Sequence, residues 1–314
     1  MTDKQYRRNP ETDMQKVGFI GIGNMGWPMA ANVAKAGYPL TVFDTDPQRS
    51  EQFVSDQTGD GRSNVNSVSA IHGLASCDVI VTMLPTGKIV SDALTQGGDD
   101  SLAARLTKGA IIVDMSSSEP TGTRDLAAKL AKHEVILIDA PVSGGVPRAL
   151  AGTLSIMIGA DDAPALELVT PLLQAMGDRL FITGGLGCGH AMKALNNYVA
   201  ATCYTATAEA MLIGEKFGLD LTTMVDIMNV STARNFFTDI VMKDHVIGEK
   251  YATGFAVGLL AKDVKIAADL SEAVGLPLPV LQLVTERWAL ARDTLGGQRD
   301  NSEAIVAWKE TAER

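Results

Sequence analysis

The sequence predicts a doubly wound α/β domain followed by an all-α domain. Short apolar segments alternate with helical patterns as far as Thr183, and a glycine-rich turn directly follows the first apolar segment. After Gly187 the pattern is helical throughout. Alternation of strands and helices is typical of a sheet that helices cover on both faces. We therefore expect an α/β domain over residues 15–186 and an all-α domain over residues 187–314.

The first element is an apolar strand, residues 17–20, which leads into a turn with glycine at positions 21, 23 and 26. A helical pattern follows over residues 28–36, and a second apolar run, residues 40–43, ends on Asp44. The order of strand, glycine turn, helix, strand and acid is that of a Rossmann-type dinucleotide-binding unit.

Each residue of the turn has a physical role in such a unit. Gly21 allows the tight turn, Gly23 lets backbone N–H groups approach a pyrophosphate, and Gly26 lets the helix pack closely on the strand. Asn24 and Met25 stand at the helix N-terminus, where partial positive charge favours phosphate. We expect these residues to bind the cofactor.

Asp44 occupies the position from which a carboxylate binds the adenosine ribose hydroxyls. Because a carboxylate there repels a 2′-phosphate, the sequence favours NAD over NADP as the cofactor. Arg49 could reach a phosphate, but it lies further along the next helix, which Asp46 is expected to cap and Pro47 to begin. We interpret Arg49 as a solvated surface residue.

The composition of the 314-residue chain excludes several classes of function. A net charge of −10 argues against nucleic-acid binding, which needs basic patches. No apolar run is long enough to span a bilayer, and the polar residues 1–15 do not form a secretory signal. Three scattered cysteines and four histidines without ligand spacing predict neither a disulfide framework nor a metal site. We expect a cytoplasmic protein.

The remaining strands are predicted from apolar runs at residues 78–84, 110–114, 134–139, 153–158 and 180–183. Their uniform apolar character indicates burial on both faces, which is typical of a largely parallel sheet. The later helices are predicted at residues 190–217, 221–229, 255–274 and 279–295. The first of these helices is apolar over much of its length, which indicates a homodimer or homotetramer in which helices cross between subunits.

Ligands of doubly wound sheets bind outside the carboxyl ends of the strands. At those ends, Leu84 and Pro85 would form a wall beside the cofactor, and Ser117 with its two serine neighbours would offer hydroxyls near the nicotinamide. The run Ser143-Gly144-Gly145 offers a hydroxyl and close backbone amides, which suit a small carboxylate substrate. The alternative is that each of these segments is an ordinary turn.

Lys193 is the candidate general acid/base, because no histidine stands at a strand end. It shares one helix face with Asn197, four residues on, and its apolar neighbours predict partial burial. Burial lowers the pKa of a lysine and suits it to proton transfer near neutral pH. The alternative is a surface lysine whose ammonium reaches solvent.

Four motifs together resemble the β-hydroxyacid dehydrogenase family, over residues 17–308. They are residues 18–26, residues 139–145 with Gly152-Thr153-Leu154 after them, residues 187–197, and the pair Lys262-Asp263. The resemblance implies that Lys193 is the catalytic lysine and that Asn197 is a substrate-orienting amide. It also implies that Ser143, Gly144 and Gly145 bind the substrate carboxylate, and that Lys262 closes on the cofactor. Ser117 stands where many members have threonine.

The resemblance implies an NAD-dependent oxidoreductase that acts on a short 3-hydroxy acid and its semialdehyde. Residues 231–234 resemble the Ser-Ser-Gly-Arg stretch of the 3-hydroxyisobutyrate enzymes, although Ala233 replaces the glycine. The alternatives are a tartronate or succinic semialdehyde reductase of the same family and a non-catalytic NAD-binding module. An imine reductase would share the fold, but we expect another residue in place of Lys193.

Overall fold

The structure, a computed structural model, describes residues 14–62 and 64–313. Of the polar segment 1–15 considered above, residues 1–13 lie outside the described residues. The chain divides into two compact units, one ending at His190 and the other beginning at Ala191. Within the described residues, no helix combines the length and the apolar character that crossing a membrane requires.

Within the described residues, the first unit holds one nine-stranded sheet. Its strands are β1 Val17–Ile20, β2 Leu40–Phe43, β3 Val65–Ser67, β4 Val79–Thr82, β5 Ile111–Asp114, β6 Ile136–Asp139, β7 Val142–Ser143, β8 Ser155–Gly159 and β9 Arg179–Gly184. Every strand predicted from an apolar run is confirmed, with small differences at the ends. The sequence did not predict β3 and β7.

The strands pair in the order β3-β2-β1-β4-β5-β6, and all of these pairs are parallel. Strand β8 runs antiparallel to β6 and β7, and β9 runs parallel to β8. The largely parallel sheet is therefore confirmed. The strand order reverses between β1 and β4, which is where doubly wound sheets bind their ligands.

Alternate residues of the central strands face two different hydrophobic cores. Val79 and Val81 of β4 pack in one core together with Phe19, whereas Ile80 packs in a second core with Ile112. Successive side chains of a strand point to opposite faces, so both faces of this sheet are buried.

The helices of the first unit are α1 Gly26–Lys35, α2 Pro47–Gly59, α3 Gly87–Thr95, α4 Leu102–Arg105, α5 Pro120–Leu130, α6 Gly145–Ala151 and α7 Ala163–Met176. Asp46 caps α2 as predicted, since its carboxylate accepts the backbone N–H groups of Gln48 and Arg49. Pro47 fills the first helical position, where a missing N–H costs nothing.

Helix α8, Cys188–Phe217, begins at the end of the first unit and continues as the longest helix of the second. It ends before Gly218, whose φ of +99° suits a glycine C-cap. The later helices are α9 Leu221–Asn229, a π-helix Phe237–Ile247, α10 Val257–Ala273, α11 Pro279–Leu295 and α12 Ala304–Ala312. The predicted helices are confirmed, whereas the π-helix and α12 were not predicted.

Three large aromatic side chains form the centre of the second unit. The ring of Tyr204 lies 5.5 Å from that of Trp288 and 5.8 Å from that of Trp308, measured between centroids. All three side chains are fully buried, and the Tyr204 hydroxyl donates to the carbonyl of Ser302 at 2.6 Å. These contacts hold α8 against α11 and α12, and so fix the helix that carries Lys193 and Asn197 within this unit.

Candidate active site

The glycine turn between β1 and α1 is shaped by close backbone contacts. Gly21 has a φ of +89°, and a side chain there would contact the carbonyl oxygen of Met83. A Cβ at Gly26 would overlap the carbonyl oxygen of Gly21. A Cβ at Gly23 would instead point into open space, with no heavy atom within 4 Å. The protein's own packing thus requires Gly21 and Gly26, while Gly23 leaves free room in front of the backbone, as a pyrophosphate needs.

A cleft of about 300 Å³ opens at this turn. Its lining residues are Ile22, Gly23, Asn24, Trp27, Pro28, Arg49, Val146 and Leu150. Among the described residues, no side chain caps the N-terminus of α1, where Met25 is the N-cap residue. Trp27 donates its backbone N–H to the carbonyl oxygen of Gly23 at 2.9 Å and Pro28 has no N–H, so phosphate oxygens would bind the backbone N–H groups of the turn that precedes these two residues. The open space in front of Gly23 and the cleft beside it suit the pyrophosphate of a dinucleotide.

Asp44 is held firmly at the end of β2. Its carboxylate accepts the backbone N–H of Ile22 and of Asp46, each at 3.0 Å, and its side chain is only 8% exposed. The guanidinium of Arg49 lies 3.6 Å from Asp44 Oδ1, and Arg49 lines the cleft. Arg49 is a surface residue as predicted, with its side chain 43% exposed, but it also lies close to Asp44, which the sequence did not predict.

The loops after β4 and β5 are joined through the carboxylate of Asp114, which is 2% exposed. Asp114 accepts the Thr82 hydroxyl at 2.8 Å, the Ser116 N–H at 3.0 Å and the Ser118 hydroxyl at 2.8 Å. The Ser116 hydroxyl oxygen in turn accepts the N–H of Leu84 at 2.9 Å. Asp114 thus fixes the positions of both loops.

Of the three serines in the loop after β5, residues 116–118, only one can contact a ligand. Ser116 and Ser118 are buried, and their hydroxyls are used inside the protein. The expectation that these two offer hydroxyls to the nicotinamide is therefore wrong. Ser117 is partly accessible, Leu84 is half-buried and Pro85 is exposed, so these three predicted cofactor residues stand at the surface of the loops.

The predicted carboxylate-binding turn joins β7 to α6, with Ser143 as the last residue of β7 and Gly145 as the first residue of α6. Gly144 and Gly145 have φ values of +138° and +65° and are exposed, and Ser143 is half-buried. These φ values favour glycine, and the exposure of both residues makes their backbone accessible. The aliphatic part of Arg148 lies against Gly144, since a Cβ on that glycine would stand 2.6 Å from Arg148 Cδ. This brings a cationic residue to the turn that the sequence did not single out.

The second unit brings Asn197, Lys262 and Asp263 together with Lys193. The side-chain N–H of Asn197 donates to Asp263 Oδ2 at 2.6 Å, and the Lys262 ammonium lies 3.2 Å from Asp263 Oδ1. Asp263 is 2% exposed. The sequence pointed to Asp263 only through the motif Lys262-Asp263. The hydrogen bond from Asn197 could not be predicted, because it depends on how α8 packs on α10.

The pKa of Lys193 is lowered from its ordinary value. Burial of the ammonium is the main cause, and the positive charge of Lys262 adds to it, whereas the carboxylate of Asp263 acts in the opposite direction. The predicted direction is therefore confirmed. A lysine with a lowered pKa is a neutral amine over more of the physiological pH range, as a proton acceptor requires.

The start of α8 is anchored by Asp139 at the end of β6. The carboxylate accepts the backbone N–H of Gly187 and of His190, each at 2.7 Å. A Cβ at Gly189 would overlap the carbonyl oxygen of Met157, which explains the glycine. Burial raises the pKa of Asp139, and the nearby His190 and the two N–H donors lower it in part.

A glycine turn at the switch point, an acid after β2 and a half-buried lysine with a lowered pKa are features that nicotinamide-dependent oxidoreductases share. Residues 16–185 match the family described as the NAD binding domain of 6-phosphogluconate dehydrogenase. Residues 187–308 match the family described as NAD-binding of NADP-dependent 3-hydroxyisobutyrate dehydrogenase. The chain belongs to the β-hydroxyacid dehydrogenase family, whose members bind NAD or NADP.

Individual relatives align over nearly the whole chain. The 2-(hydroxymethyl)glutarate dehydrogenase of Eubacterium barkeri is 34% identical, with 94% of this chain and 95% of the relative covered. The 3-hydroxyisobutyrate dehydrogenase of Pseudomonas aeruginosa is 35% identical over 88% of this chain and 92% of the relative. The structure of the Mycobacterium tuberculosis 3-hydroxyisobutyrate dehydrogenase with L-serine superposes with a TM-score of 0.82 at 28% identity, covering 94% and 99%.

Proposed function

We propose that this enzyme transfers hydride between NAD and a short 3-hydroxy acid resembling 3-hydroxyisobutyrate, with Lys193 as general acid/base. The lowered pKa of Lys193, in a cluster with Asn197 and Asp263, is the observation that carries the proposal. The named substrates of the relatives support the substrate class, since they share a hydroxyl on the carbon β to a carboxylate.

The proposed roles follow from the chemistry of each group. NAD, when bound, supplies the hydride acceptor. Ser143 and the exposed backbone of Gly144 and Gly145 hold the substrate carboxylate, which fixes the position of the hydroxyl. In oxidation, Lys193 accepts the hydroxyl proton as a neutral amine, and in reduction it returns that proton as an ammonium. Asn197, oriented by Asp263, donates to or accepts from the substrate oxygen.

The proposed cofactor preference is for NAD. Each carboxylate oxygen of Asp44 accepts a backbone N–H, so the orientation of this carboxylate is fixed. A 2′-phosphate beside this nearly buried carboxylate would be repelled, although Arg49 offsets part of the charge. Leu84, Pro85 and Ser117 would contact the nicotinamide half, and Lys262 would close on the cofactor.

A homodimer or homotetramer in the cytoplasm remains our expectation. Helix α8 exposes Val199 by 57%, Ile213 by 70% and Phe217 by 84%, which favours coverage of this helix by a second subunit. Light scattering after size-exclusion chromatography tests the assembly.

A panel of small hydroxy acids and semialdehydes, assayed with NAD and with NADP, tests the proposal. Turnover of 3-hydroxyisobutyrate, L-serine or a related 3-hydroxy acid with NAD is the expected result. Faster turnover of tartronate or succinic semialdehyde would instead indicate a reductase of the same family. Tight NAD binding with no turnover of any of these compounds would contradict the proposed catalysis and indicate a binding module.

A further inference from the structure

Arg148 is a cationic residue beside the proposed carboxylate-binding turn, and the proposed mechanism gives it no role. It lies on α6, one helical turn after Gly144. A Cβ on Gly144 would stand 2.7 Å from Arg148 Cβ, 3.1 Å from its Cγ and 2.6 Å from its Cδ. The aliphatic stem of Arg148 therefore covers Gly144, and the guanidinium, which begins one bond beyond Cδ, lies beside the turn.

The geometry of α6 directs this side chain toward the turn. Long side chains of a helix lean toward its N-terminus and cover the preceding helical turn. Val146 and Leu150 of the same helix line the cleft at Gly23, one helical turn apart from each other. Arg148 lies midway between them in the sequence, and so on the opposite side of the helix. The guanidinium is thus directed to the turn rather than to the proposed pyrophosphate cleft.

Arg148 differs from other arginines of the first unit in its partners. Arg49, Arg62 and Arg105 each lie within ion-pair distance of a carboxylate. Arg148 is exposed, and among the described residues no carboxylate pairs with its guanidinium and no group accepts a hydrogen bond from it. Acidic residues outnumber basic ones in this chain, 37 to 27, so a shortage of carboxylates does not explain the difference. The guanidinium is free to pair with an anion that binds at the turn.

The turn itself supplies only neutral groups to such an anion. Ser143 offers a hydroxyl, and Gly144 and Gly145 offer accessible backbone. A guanidinium can add two parallel N–H···O bonds to one carboxylate, and bonds of this kind are stronger than those from neutral donors. Arg148 therefore provides the positive charge that these three residues lack.

We propose that Arg148 is a substrate-binding residue whose guanidinium pairs with the substrate carboxylate at the turn 143–145. The pairing rests on the proposed function, since it assigns the bound anion to the substrate. Because the N–H groups of a guanidinium form a rigid fork, the pairing fixes the plane of the carboxylate as well as its position. Gly144 is then required both by its φ of +138° and by the arginine stem that covers it.

Arg148→Gln tests the pairing, because glutamine keeps a carbon at the β, γ and δ positions and so keeps the packing on Gly144. The probe is isobutyrate, which has the carboxylate but lacks the reacting hydroxyl, titrated by calorimetry into the enzyme saturated with NAD. Arg148→Gln should raise the isobutyrate dissociation constant by about tenfold or more, as expected for losing a charge-assisted interaction. Arg105→Gln, at an exposed arginine of the same unit, is the control and should bind isobutyrate normally.

Two further titrations separate the charge of Arg148 from its geometry and from the cofactor. Arg148→Lys keeps the positive charge but loses the fork, so its isobutyrate dissociation constant should lie between those of the unmodified enzyme and Arg148→Gln. The NAD dissociation constant of Arg148→Gln should be unchanged. Weaker NAD binding together with unchanged isobutyrate binding would assign the guanidinium to a cofactor phosphate and overturn the proposal.

Glutarate, which has two carboxylates, tests whether the guanidinium binds a second anionic group instead. If Arg148→Gln weakened the binding of glutarate but not that of isobutyrate, the pairing at the turn would be overturned. Unchanged binding of both acids, or no binding of isobutyrate to the unmodified enzyme, would overturn it as well. None of these titrations involves turnover, so a failure of Lys193 to act as acid/base would leave them unchanged.

Discussion

Asn197 on α8 donates its side-chain N–H to Oδ2 of Asp263 on α10 at 2.6 Å, and both residues are buried. The same carboxylate acts on Lys193, whose pKa it raises against the stronger effect of burial. A single acid therefore fixes the orientation of the proposed substrate amide and limits how far the pKa of the proposed base is lowered.

Replacing Asp263 should change the pKa of Lys193 in a direction that follows from the charges. Asp263→Asn removes the negative charge that stabilises the ammonium of Lys193, so the pKa of Lys193 should fall further. Oxidation needs the neutral amine, so the limb of the pH profile that rises with pH should move to lower pH. The measurement is kcat/KM for the hydroxy acid from pH 5 to pH 10.

Asp269→Asn is the matched control, because Asp269 lies on the same helix, is exposed and pairs with Lys265. Its pH profile should coincide with that of the unmodified enzyme. A shift of the Asp263→Asn profile to higher pH would show that the carboxylate does not act on the base in this way.

Ser143 is predicted to bind the substrate carboxylate. Ser143→Ala should raise KM for the hydroxy acid and leave the NAD dissociation constant nearly unchanged. A hydrogen bond to a charged group contributes about 1.5–3 kcal/mol, so a rise of roughly ten- to a hundredfold is expected. Ser155→Ala is the control, because Ser155 pairs with Ser143 across β7 and β8 but lies outside the turn. Equal turnover of the amide or ester of the substrate would contradict the assignment.

Asp44 is predicted to set the cofactor preference. Asp44→Ala or Asp44→Ser removes the charge that repels a 2′-phosphate, so the ratio of kcat/KM with NAD to kcat/KM with NADP should fall. Asp60→Ser, at the exposed far end of α2, should leave this ratio unchanged. Equal efficiency with both cofactors in the unmodified enzyme would show that Asp44 does not discriminate.

The sequence predicted those elements whose signal is local. The apolar strands of four to six residues, the glycine turn and the capped start of α2 follow from patterns within a few residues. Strands β3 and β7 have only three and two residues, so their structure depends on pairing with β2 and β8 rather than on a pattern of their own. The π-helix Phe237–Ile247 lacks a distinct sequence period, and it was missed for that reason.

The same distinction applies to the candidate site. Lys193, Asn197 and Ser143 stand out through motifs and spacing. The role of Asp114 depends on hydrogen bonds between residues 32 positions apart, from Thr82 and Leu84 to the loop after β5. The contact of Arg49 with Asp44 depends on the angle at which α2 leaves β2. Such relations are set by tertiary packing, which a single sequence does not display.

The strongest prediction is that turnover depends on Lys193. Lys193→Ala should fold and bind NAD but lose turnover by roughly 10²–10⁴-fold, the usual contribution of general acid/base catalysis. Lys216→Ala, an exposed lysine on the same helix, should retain normal activity. Steady-state kinetics together with NAD titration separate a loss of chemistry from a loss of binding.

The pH dependence and an arginine variant distinguish proton transfer from a purely electrostatic role. In the unmodified enzyme, oxidation should speed up as pH rises and Lys193 loses its proton, whereas reduction should slow down because it needs the ammonium. Neither of these two pH dependences should be present in Lys193→Ala. Lys193→Arg should not restore activity, because a guanidinium does not release its proton at usable pH. If Lys193 only anchored the substrate by its charge, Lys193→Arg would keep much of kcat and mainly change KM, and the assignment of Lys193 as acid/base would be wrong.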